Sequence, residues 1–125
     1  MSDPISFIHD LRWHDVPPDA QERLHMCLLD LLGIAAGGRA LPMSGIVRDH
    51  AALDFPGTVP ILFDGRGAAL AAASMAGAMS IDALDGHDGY NPSKGHVGCT
   101  LLPALLALSH GRDVTGLDFM AALAM

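Results

Sequence analysis

The chain has 125 residues, half of them hydrophobic but only six aromatic, with one Lys, six Arg and a net charge of -7. That length bounds it to one domain or less, with an interior built from Ala, Leu and Met. The acidic balance argues against nucleic acid, whose phosphates need a basic face, and no run reaches the ~20 apolar residues of a membrane span.

Small side chains bury little area each, so the chain is expected to need a further surface, as a homo-oligomer or with a partner chain. Cys27 and Cys99 lie in apolar surroundings without a CxxC pair. They read as reduced and buried in an intracellular, cytoplasmic protein. The N-terminus lacks the basic and apolar regions of a secretory signal.

Ser2-Asp3-Pro4 starts a first helix, because a capping residue precedes a proline whose missing N–H costs nothing in the first turn. Apolar spacing carries that helix to about Trp13. Pro17-Pro18-Asp19 opens a longer one, in which Leu24, Leu28, Leu31 and Ala35 recur at helical spacing until Gly37-Gly38. Between Met26 and Ala36 only Asp30 is charged, so this helix is expected to be buried on most sides. Asp30 is then a paired structural acid, since a lone buried carboxylate is costly.

A third helix is expected over 43–55, with Arg48, Asp49 and His50 on a polar side. Segment 58–63 reads as a short extended piece that Pro60 keeps to an edge, and Asp64-Gly65-Arg66-Gly67 turns the chain. Segment 68–84 is an uncharged Ala, Ser and Met helix until Asp82. Another apolar helix covers 101–108, with Pro103 in its first turn, and a last one starts at Thr115 or Gly116. Its pattern is still running at Met125, and the chain reads as cut off there. The expected class is all-α, a helical bundle with at most one short extended segment.

Between the two most apolar helices lies the stretch 82–100. It holds three of the fourteen acids, two of the seven histidines and the only lysine. Its four glycines and one proline deny it a continuous helix, and loops held by rigid elements are where binding and chemistry concentrate. Singly, each residue has a plainer reading: Asp82 and Asp85 end a helix, His87 and Asp88 are solvated, and Lys94 is a surface charge. Together, in a charge-poor chain, they mark a candidate site.

Five segments in this order resemble the N-terminal part of the MmgE/PrpD family, which includes 2-methylcitrate dehydratase, cis-aconitate decarboxylase and iminodisuccinate epimerase. They are Leu28-Leu29-Asp30-Leu31-Leu32-Gly33, Asp82-Ala83-Leu84-Asp85-Gly86-His87-Asp88, Lys94-Gly95-His96-Val97-Gly98, Leu102-Pro103-Ala104-Leu105-Leu106 and Gly116-Leu117-Asp118-Phe119-Met120. The resemblance runs from about Phe7 to the end. It implies that Asp85 and His96 are catalytic, and that Lys94, with Asp88 and His87, binds substrate. His87 stands where the family has an acid, and Val97 where it has a proline. The family's other active-site residues and its second, smaller domain are expected beyond residue 125.

The resemblance further implies a lyase, a dehydratase or decarboxylase, acting on a small di- or tricarboxylate without a metal or other cofactor. Such chemistry needs a base for the proton next to a carboxylate and cationic groups to hold the charge. His96 suits the first role and Lys94 the second. Alternatives are an epimerase of the same family, a non-catalytic helical remnant or subunit that needs a partner chain, and a metal-dependent hydrolase with Asp85, His87, Asp88 and His96 as ligands.

Overall fold

Three prolines set the starts of the first three helices, each at a position where a proline's missing N–H leaves no intrahelical bond unmade. In the computed structural model, which describes residues 3–86, 89, 91–92 and 94–125, α1 is Pro4–Asp10, α2 is Pro18–Gly38 and α3 is Pro42–Asp54. A hairpin of β1 (Pro56–Pro60) and β2 (Gly67–Ala68) follows, then α4 (Leu70–Asp82), α5 (Val97–Ser109) and α6 (Gly116–Leu123). The expected mostly helical architecture is the observed one, and the short extended segment pairs antiparallel with a two-residue strand.

α1 ends earlier than its apolar spacing suggests, because local hydrogen bonds compete with helix continuation. The Asp3 carboxylate accepts from Ser6 N at 3.4 Å and caps the start. Beyond Asp10, Arg12 N donates to Asp15 Oδ2 at 3.0 Å, and Gln21 Nε2 donates to the carbonyls of Trp13 and Val16 at 3.1 and 2.8 Å. These bonds hold Trp13–Asp15 as a separate single turn.

α4 is the centre of the packing, lying against α5, α3 and α2. Its buried residues are Ala72, Ala73, Ala76, Gly77, Ser80 and Ile81. None but Ile81 is large, so neighbouring backbones come close. A Cβ on Gly77 would stand 2.6 Å from Pro103 Cβ of α5, and one on Gly38, at the end of α2, would overlap the Ser80 carbonyl oxygen. Ser80 Oγ donates back to Ala76 O at 2.9 Å, which satisfies the hydroxyl without a partner helix.

Two clusters make the core. One joins Ala51 of α3, Ile61 and Ala68 of the hairpin region and the alanines of α4. The other joins Leu31 and Ala35 of α2, Ile81 of α4, and Cys99 and Leu102 of α5.

α2 departs from its expectation. Only Leu31, Ala35 and Gly38 are buried, while Met26 and Leu29 are 65% and 74% exposed. Cys27 and Asp30 are exposed as well, so Asp30 needs no buried partner and Cys27 is not a core thiol. The reason is that α2 meets this chain along one stripe, and uncharged residues on its remaining faces find nothing here to pack on. α5 differs too: it begins at Val97, which puts Pro103 inside the helix, where its ring fills the space left by Gly77.

α2 and α3 meet at 91°. The corner is held by the buried Ser44 hydroxyl, which donates to Gly38 O at 2.7 Å. Among the described residues no single helix is long and apolar enough to cross a membrane. At the other end of α3, an ion network ties the helix to the hairpin turn. Arg48 Nε lies 3.1 Å from Asp64 Oδ2, with side chains only 11% and 7% exposed, though off the line of a hydrogen bond. Arg66 donates to Asp64 and, at 2.8 Å, to Asp49 Oδ1. Arg48 was expected on a polar surface; the turn folds back over it. Phe63, at φ 55°, occupies the left-handed region in that turn.

Hydrogen bonds from the Arg66 guanidinium, against the opposing effect of burial, hold the Asp64 carboxyl below its ordinary value. A depressed carboxyl stabilises the fold fully above its unfolded pKa, about 4, and the contribution is lost as pH falls through the lower folded value. Wild-type Tm is therefore expected to drop as pH falls below about 4, and Asp64→Asn to flatten that drop in a pH series of thermal melts. Gly38→Ala is expected to lower Tm by several degrees, since overpacking costs about 1–3 kcal/mol. That exceeds the ~1 kcal/mol of helix propensity that alanine gains over glycine.

Candidate functional site

The candidate loop starts against the end of α2. After α4 ends at Asp82, the chain turns with Asp85 N donating to Asp82 O at 2.9 Å. Leu84 packs on the glycines of α2: its Cδ1 would meet a Cβ on Gly37 at 3.0 Å, and its Cγ one on Gly38 at 3.7 Å. A Cβ on Gly86 would meet Ile34 Cδ1 at 3.1 Å. Asp85 sits between these two contacts at φ 48°. Asp is one of the few non-glycine residues that visit this region readily.

A second turn runs from Asn91 to Lys94, closed by Lys94 N donating to Asn91 O at 3.2 Å. Asn followed by Pro is the preferred opening of such a turn, because Pro92 presets the next φ. Lys94 has φ 53°. A left-handed lysine costs about 1–2 kcal/mol, so the fold spends stability on holding this side chain where it is. Its ammonium donates to Asn91 Oδ1.

His96 is the N-cap residue of α5. The Cys99 thiol, buried in the second core cluster, donates to His96 O at 3.1 Å. The backbone of the histidine is thus anchored to the core while the residue itself is exposed. Its ring lies over Gly89, where a Cβ would come within 3.2 Å of His96 Cε1.

Gly89, Asn91, Lys94, Gly95 and His96 line one cleft of about 380 Å³. The structure therefore brings Lys94 and His96 together. Asp85 is placed in the same loop but is not among the described residues of the cleft wall. His87 and Asp88 lie outside the described residues. Asn91 is not singled out by the sequence; the Asn-Pro pair signals a turn, but only the fold shows what the turn holds.

The electrostatics favour an anion. The start of α5 carries the positive end of its helix dipole, its first turn contains no acid, and the Lys94 ammonium adds a full charge. An imidazole beside an anchored carboxylate can take or return a proton near neutral pH. Among the described residues, no three His, Cys, Asp or Glu gather as a metal site. A second groove of about 380 Å³, lined by Ile61, Phe63, Pro103, Leu106 and His110 among others, is mainly apolar and carries no lysine, arginine or acid on its wall.

Comparison with curated proteins and with solved structures finds no match. The sequence model of the MmgE/PrpD N-terminal domain, in contrast, matches residues 5–125. With nearly the whole length matched, and with the glycine-rich loop held between α4 and α5, the chain belongs to the MmgE/PrpD family.

Proposed function

We propose that this chain supplies part of the active site of a cytoplasmic lyase, a dehydratase or decarboxylase, acting on a small di- or tricarboxylate. The observation that carries this reading is the single cleft at the start of α5 shared by Lys94 and His96. Lys94 anchors a substrate carboxylate. His96 exchanges the proton on the neighbouring carbon or protonates the departing group. Asp85, in the adjoining turn, orients the imidazole or relays its proton once substrate is bound. An epimerase of the same family shares the first step, abstraction of a proton next to a carboxylate, so the same three residues serve it.

The proposal includes a covering surface, from a second copy or a partner chain. Met26 and Leu29 of α2 and Ile46 and Leu53 of α3 are each 65% exposed or more, and large exposed apolar surface marks interaction sites when it is contiguous. The chain on its own is expected to associate in sedimentation and to bind an exposed-surface dye. A compact monomer without dye binding contradicts that part of the reading.

For the chemistry, the test is turnover by the assembled enzyme on a panel of di- and tricarboxylates, with Tm measured on each variant. His96→Ala is expected to lower kcat by about 10²–10⁴-fold, the range of a positioned acid–base group. Lys94→Ala is expected mainly to raise KM, as when ground-state binding is lost. Asp85→Asn keeps size and hydrogen bonding, and a large loss of kcat there marks the carboxylate as necessary. If activity falls only in step with Tm, these residues merely tie the loop down and the catalytic assignment is wrong.

A further inference from the structure

Asn91 meets Lys94 twice. Its backbone carbonyl accepts from Lys94 N at 3.2 Å, and its side-chain Oδ1 accepts from the Lys94 ammonium. Both residues line the cleft with His96. A free lysine loses much rotamer freedom when it grips an anion, and one already held loses less. The amide oxygen is a neutral acceptor, so it orients the ammonium without cancelling its charge, and it takes only one of three N–H donors.

We propose that Asn91 is a positioning residue of this site, holding the Lys94 ammonium at the cleft wall for an incoming substrate carboxylate. The inference rests on the carboxylate reading above and assigns it a residue which that reading did not contain. Asn91 acts through Lys94 and needs no contact with the reacting atoms. A carboxylate in its place would hold the lysine equally well but neutralise it, and an aliphatic residue would leave it charged but loose.

Lys94 is the only lysine in the chain. Amine acylation read by mass spectrometry therefore reports one side chain, with the N-terminal amine as internal reference. Succinate and citrate serve as carboxylate probes that protect Lys94 from the reagent. In Asn91→Ala, Lys94 is expected to acylate faster than in wild type, and the protection constant to weaken by roughly 2- to 10-fold, the cost of one newly immobilised side chain. In Asn91→Asp, acylation is expected to be slow again while protection is lost. The residue-91 carbonyl is present in every variant, so the turn's own hydrogen bond is kept.

Unchanged acylation and protection in Asn91→Ala overturns the proposal. So does a rise in acylation in both variants that tracks an equal fall in Tm, because Asn91 then acts only by forming the turn. If neither probe protects wild-type Lys94 while Asn91→Ala still speeds acylation, the carboxylate reading falls and Asn91's hold on the ammonium stands.

Discussion

Close approach of helix backbones is the constraint on which the rest of this structure depends. α4 has almost no side-chain bulk on its buried face, so α5 reaches it through Pro103 on Gly77 and α2 reaches it through Gly38 on Ser80. Such contacts gain dispersion from many atoms at short range rather than from large buried side chains. They also tolerate little change, since one added methyl meets a backbone carbonyl at Gly38 and a rigid proline ring at Gly77. The same scarcity of bulk leaves large apolar residues of α2 and α3 outside the core.

That tight packing places the site. The end of α4 packs on the end of α2 while the start of α5 lies against the middle of α2, and the loop connecting α4 and α5 is pinned at each side. Leu84 and Gly86 lie against α2, and the Cys99 thiol fastens the His96 carbonyl from within the core. Between these anchors, Asp85 and Lys94 take left-handed backbone conformations. Strain of this kind persists only where the surroundings over-determine it, and here it falls on two of the three described residues to which the chemistry is assigned.

The second electrostatic centre has a different character. Arg48 and Arg66 join the hairpin turn to α3 by pairing with Asp64 and Asp49, so that two cations meet two acids, and Arg48 and Asp64 are withdrawn from water. No charge is left over to recruit a ligand, so the network reads as a fastening of the fold. At the loop cleft, by contrast, the lysine ammonium is met by a neutral amide oxygen. In the proposed reading, pairing with a neutral acceptor rather than an acid separates the binding group from the structural one.

Much of this was legible in the chain itself. Prolines at 4 and 18 marked helix starts because a missing N–H is harmless there; glycines after residue 84 broke the helix; and the ordered motifs pointed to the family that the match over 5–125 bears out. Local chemistry determines those features, so one sequence suffices to see them. Burial was another matter. The uncharged run in α2 suggested a helix covered on most sides, yet Cys27, Leu29 and Asp30 face outward, because burial depends on what other elements arrive and not on a helix's own composition. The pairing of Asn91 with Lys94, the ring of His96 over Gly89 and the withdrawal of Arg48 behind the hairpin turn likewise join groups whose contact only the folded backbone decides.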